Sequence, residues 1–116
     1  MRTVGWLILR RSSGRQRRKK LVIVGDAETT NGLAEHARDA DVLVIEATFL
    51  DRDAAIARDY GHLTAAEVAA LAAMSNVKQL VLTHISGRYT DEEILAEAKK
   101  TFPNSRLAID FDHIVV

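Results

Sequence analysis

Cysteine is absent from the 116 residues, which excludes both a disulfide framework and any thiolate metal site. No apolar run reaches the roughly 18 residues of a membrane span, and the opening "MRTVGWLILRR" has too short an apolar core for a signal peptide. These absences predict a protein of the reducing cytoplasm with no membrane partner. Proline occurs once, at Pro103, and no internal repeat, low-complexity tract or interdomain linker is present. Acidic residues are missing before Asp26, although Lys+Arg and Asp+Glu balance over the whole chain. Arg10, Arg11, Arg15, Arg17, Arg18, Lys19 and Lys20 therefore crowd one unopposed segment, "RRSSGRQRRKK". Such a cluster can contact a nucleic-acid backbone electrostatically. With "SSG" at its centre and apolar runs on both sides, it reads more simply as a solvated turn joining two strands. No aromatic residue interleaves the basic ones, so a base-stacking platform is not indicated.

What is present is an alternation of short apolar runs and helical patterns in a chain that is 47% hydrophobic, enough for one domain. "TVGWLILR" and "LVIVG" read as a strand pair around the basic turn. "GLAEHARDA" reads as a short helix, "DVLVIEA" as a strand, and "DRDAAIARDYG" as a helix ended by Gly61. "TAAEVAALAAMSN" and "TDEEILAEAKK" are helices opened by capping boxes, Thr64 to Glu67 and Thr90 to Glu93. Between them lies the strand "QLVLTH", and "SRLAID" and "HIVV" close the chain. This order predicts an α/β layer structure with a largely parallel portion. The runs 21–24, 42–45 and 80–82 do not alternate with polar residues and so look buried on both faces. Helices this few cover one sheet face, which predicts that a second copy or a different chain covers the other.

Polar residues interrupt these runs at telling places. Asp26 follows "LVIVG", Glu46 follows "DVLVI", His62 precedes a capped helix, and His84 ends "LVLT", with Ser86 and Arg88 just beyond. Ligands of layered α/β folds gather at the carboxyl ends of strands, so these residues could converge on one site. Singly, each has an ordinary explanation as a turn former, strand end, helix cap or satisfied histidine. His62 lies beside a helix N-terminus whose N–H groups suit phosphate. Arg88 and Ser86 offer a planar fork and a hydroxyl for phosphate oxygens. Carboxylate and imidazole are ligands that zinc accepts together.

The segments "VIVGDAETT", "VLVIEATFLD", "YGHLTAAEVAALA" and "QLVLTHISGRY" resemble, in order and spacing, the second half of ribonuclease Z, the metallo-β-lactamase-fold endonuclease that trims the 3′ end of precursor tRNA. The resemblance runs from "VGW" to the final "HIVV". It implies half of an αββα sandwich, with a mixed sheet and helices on one face. By the same resemblance, Asp26 is a zinc-bridging carboxylate and His84 a terminal zinc ligand. His62 is the histidine at the scissile phosphate, Glu46 its supporting carboxylate, and Ser86 and Arg88 are substrate contacts. The family uses two zinc ions and RNA as substrate. Departures are plain: Ile45 replaces the histidine of the His-Glu-Ala-Thr motif, "AETT" follows the Gly-Asp pair, and "GHLT" stands for "GHST". The ligand-rich His-x-His-x-Asp-His motif is absent. "AIDFDH" keeps only its last two residues, Asp112 and His113, and reads as terminal strand. The resemblance thus implies a hydrolase fragment that a second copy or a separate amino-terminal half completes. A non-catalytic dimerisation or regulatory module on the same fold is the alternative, and a complete hydrolase of another phosphodiester a third.

Overall fold

The computed structural model describes residues 7–10, 19–25, 27, 29–108 and 112–115. In chain order the elements are β1 (Leu7–Arg10), β2 (Leu21–Ile23), α1 (Leu33–Ala37), β3 (Val42–Glu46), a 3-10 turn (Asp51–Asp53), α2 (Ala54–Asp59), α3 (Ala65–Met74), β4 (Gln79–Thr83), α4 (Asp91–Thr101), β5 (Ser105–Leu107) and β6 (Asp112–Val115). β2, β3, β4 and β5 form one sheet in that order, and β1 pairs with β6 in a second. Every pairing among the described residues is parallel. Two expectations are corrected here. The mixed sheet is, among the described residues, parallel, because helical crossovers return each strand in the same direction. The strand pair around the basic turn does not form either: β1 takes β6 as its neighbour, and β2 takes β3. Residues 11–18 of the basic segment lie outside the described residues.

Helix α3 forms because it is built largely of alanine, the best helix former, and because its start is capped. Thr64 Oγ1 accepts from Glu67 N at 3.1 Å, and Thr64 N donates to Glu67 Oε1 at 3.3 Å. Helix α4 repeats the device with Thr90 and Glu93. Its acidic first turn and the lysines Lys99 and Lys100 in its last turn complement the helix dipole.

All five residues of β3 are buried, and their side chains alternate between two cores. Leu43 and Ile45, with Leu80 and Leu82 of β4, pack on Val68, Leu71 and Ala72 of α3 and on Ile94 and Ala98 of α4. Each large aliphatic side chain buried there contributes about 1.5 to 3 kcal/mol. On the other face Val42, Val44 and Val81 form a smaller cluster with Leu21 and Ala108 against it. Those three valines are at most 4% exposed within the single chain. The face opposite the helices is therefore not open at its centre, which narrows the expected need for outside cover. Among the described residues its β2 margin is bare, with Ile23 64% exposed. An open hollow beside that margin is lined by residues 21–25, Leu33 and His36.

Candidate functional site

Glu46 and His84 are brought together by strand register. Glu46 ends β3 opposite Thr83 of β4, and His84 is the next residue. Three backbone bonds lock the loops that follow. Ala47 N donates to Thr83 O (2.9 Å), Ser86 N to Thr48 O (3.1 Å), and Thr48 N to Leu63 O (3.1 Å). The last of these draws in the segment that carries His62, which enters from α2 through Gly61 at φ 70 and is held by its own N–H on Ala57 O (2.8 Å).

The result is a cluster of Glu46, His62 and His84 in which one donor atom from each lies within 4.8 Å of the others. His62 Nδ1 is 3.3 Å from Glu46 Oε2, and Thr48 Oγ1 donates to that same oxygen at 3.2 Å. The two imidazole rings lie 5.4 Å apart, and Phe49 packs on His62 from 6.0 Å. Glu46 is buried, so its charge needs compensation. Among the described residues three buried side-chain polar atoms lack a hydrogen-bond partner, and two of them, Glu46 Oε1 and His84 Nε2, belong to this cluster. A buried carboxylate oxygen and an imidazole nitrogen left unmatched in one cluster suit a divalent transition cation as a partner.

Ser86 and Arg88 lie in the adjoining turn. Ser86 Oγ accepts from Arg88 N at 3.3 Å, so part of the hydroxyl's capacity is spent on the turn itself. The Arg88 guanidinium lies 5.4 Å from the Phe49 ring centre and 3.8 Å from Asp53 Oδ2. Tyr89 Oη donates to that same Asp53 oxygen, and Arg52 lies over the Tyr89 ring at 5.5 Å. Burial, and then the bond to Asp53, push the Tyr89 phenol above its ordinary range.

Of the six residues singled out in the sequence, the structure gathers Glu46, His62 and His84 and sets Ser86 and Arg88 beside them. Asp26 lies outside the described residues. The phosphate pocket expected at the start of α3 is not there. Ala65 N already donates to Phe49 O, Ala66 N to Glu97 Oε2 and Glu67 N to Thr64 Oγ1. The Glu97 carboxylate takes the place an anion would fill. Asp53 and Phe49, which hold Arg88, carried no sequence signal, since neither sits at a strand end or in a spacing that marks chemistry.

Comparison with known proteins bears on the fold and the family. The profile of the beta-lactamase superfamily domain matches residues 2–85. The chain is 76% identical over 98 residues to ribonuclease Z of Bradyrhizobium diazoefficiens, covering 84% of this chain and 33% of that protein. It is 42% identical over 99 residues to ribonuclease Z of Geobacillus kaustophilus, covering 83% and 32%. The chain thus spans about a third of the length of these relatives, less than the expected half. Among solved structures, the metallo-beta-lactamase fold protein YhfI from Bacillus subtilis superposes with a TM-score of 0.71 at 22% identity, over 78% of this chain and 37% of that one. Human tRNase Z, short form, gives 0.62 at 33% identity, over 80% and 32%. No helix among the described residues is long and apolar enough to cross a membrane. The match of the superfamily domain over most of the chain, with the ribonuclease Z relatives and the tRNase Z structure, shows that the chain is ribonuclease Z-like and belongs to the beta-lactamase superfamily.

Proposed function

We propose that this chain carries the phosphate-facing part of a metal-dependent phosphodiester hydrolase that acts on precursor tRNA 3′ ends in the cytoplasm, and that another polypeptide completes its site. The observation that supports this is the convergence of Glu46, His62 and His84 past the ends of β3 and β4. In this reading Glu46 Oε2, 3.3 Å from His62 Nδ1, fixes the orientation of the ring. His62 then gives a proton from its other nitrogen to the leaving oxygen as the phosphorus–oxygen bond breaks, while the water-derived oxygen bonds to phosphorus. Arg88, steadied by Asp53 and Phe49, holds phosphate oxygens, with Ser86 beside it. Asp26 and His84 are the residues this chain would give to zinc. When bound, zinc lowers the pKa of water and stabilises developing charge on phosphate oxygens.

The remaining metal ligands come from the completing polypeptide, since the chain lacks the His-x-His-x-Asp-His motif. The bare β2 margin around Ile23 is where it would seat. That same missing motif favours a second reading, a non-catalytic dimerisation or regulatory module that retains the fold. An assay separates the two. The chain is mixed with zinc, precursor tRNA and the part of the B. diazoefficiens enzyme outside the match. Cleavage is expected from the mixture and not from the chain alone, and His62→Ala should lower it by roughly 100-fold or more. Cleavage that resists a chelator sinks the reading. A mixture that assembles and stays inert supports the module.

A further inference from the structure

The residues assigned above to proton transfer and to metal binding are close enough to serve a different purpose when the chain is alone. We infer that the uncompleted chain holds a single divalent transition cation between Glu46, His62 and His84, a set of ligands complete within this polypeptide.

Donor type comes first. One carboxylate and two imidazoles make the three-residue set found at zinc sites that keep an open position. Spacing comes second. Zinc bonds of about 2.0 to 2.2 Å in tetrahedral array put neighbouring donors roughly 3.3 to 3.6 Å apart. Glu46 Oε2 and His62 Nδ1 already stand 3.3 Å apart, and the whole set lies within 4.8 Å. Closing on a cation therefore takes donor movements of about 1 Å.

Unmet bonding is the third observation, independent of the other two. Glu46 has a side chain 5% exposed, yet its Oε1 has no partner among the described residues, and neither does His84 Nε2. A cation satisfies both atoms at once. The surroundings are also those of a held ligand set. Thr48 orients the Glu46 carboxylate, Phe49 packs on the His62 ring, and backbone bonds fix the loops that carry all three residues.

The consequence is a switch between two uses of one cluster. With Glu46 and His62 engaged on a cation, His62 cannot serve as a proton donor, so the isolated chain would be silent for a reason beyond its missing ligands. In a completed site, where zinc would have other ligands, Glu46 and His62 would be free for proton transfer. This second use rests on the function proposed above, whereas the single-cation site does not.

The test is zinc titration of the full chain by calorimetry, with native mass spectrometry for stoichiometry and the visible spectrum of the cobalt form for coordination. One equivalent should bind, with a four-coordinate cobalt spectrum. Loss of an outer hydrogen-bond partner weakens metal binding by roughly 10- to 100-fold, so loss of a ligand should cost on the order of 100-fold or more. Glu46→Gln and His62→Gln preserve volume, and His84→Asn tolerates the left-handed backbone at that position. Thermal unfolding confirms that each variant is folded. Weakened binding in all three, with the exposed Glu92→Gln of α4 close to the parent, supports the site. Retained binding in Glu46→Gln, loss of binding in Glu92→Gln, or no saturable binding by the parent overturns it. The tRNA assay answers separately from this titration, because its metal site needs the second polypeptide.

Discussion

His84 holds its backbone at φ 57, a left-handed conformation that costs an L-residue about 1 to 2 kcal/mol. Its neighbours impose this. Ala47 N is bonded to Thr83 O on one side of it and Ser86 N to Thr48 O on the other. Strain at a residue whose ring nitrogen is buried and has no partner among the described residues indicates that the ring's position matters more than local stability. His84→Gly, which relieves the backbone, should be more stable than His84→Ala by up to about 1 kcal/mol. Both should lose metal equally. Urea unfolding beside zinc titration reads the two effects, and a His84→Ala variant as stable as His84→Gly would mean the strain is absent.

At the scale of elements, the caps of α3 and α4 look alike in sequence but sit in different surroundings. Thr64 is fully buried and pairs with Phe49 in a bridge, whereas Thr90 is exposed. Replacing a capping threonine by alanine costs about 0.5 to 2 kcal/mol. Thr64→Ala should fall at the upper end and Thr90→Ala at the lower, measured by urea midpoints. Only Thr64→Ala should also loosen His62, two residues away. The boxes themselves were legible in the sequence because Thr and Glu three apart satisfy each other's backbone donors locally. So were the buried runs of β3 and β4, and the strand ends that bear Glu46 and His84. Glu97 was not legible. Its carboxylate receives Asp51 N and Ala66 N from segments far away in the chain, and a helix residue four from Glu93 reads as solvated surface. Strand β1 misled for a related reason. A serine- and glycine-containing turn between apolar runs signals a hairpin locally, but the partner it finds, β6, is set by tertiary arrangement.

For the molecule as a whole, two groups on different elements bound the pH range of stability. The backbone N–H of Lys20, and then the Lys78 ammonium, hold the Asp41 carboxyl below the usual carboxylate range. A depressed acid stabilises the fold above its ordinary value near 4, and this contribution is lost as pH falls through the folded value. Tyr89 acts in the opposite direction. Burial and Asp53 raise it, so its contribution is complete below about 10 and is lost as pH rises through the folded value. Urea midpoints from pH 3 to 11 should therefore form a plateau with two falling limbs. Asp41→Asn should flatten the acid limb and Tyr89→Phe the alkaline one. A variant that lowers the plateau and leaves both limbs intact would assign the limbs to other groups.

The pairing of β1 with β6 sets Leu7 beside Asp112, so nearly the entire polypeptide lies in the loop that this contact closes. The four-stranded sheet needs no such closure, because each of its strands finds a neighbour after a single crossover. Order of assembly follows from loop entropy. During synthesis β2 to β5 can dock as they emerge, while β1, made before them, must wait until β6 has left the ribosome.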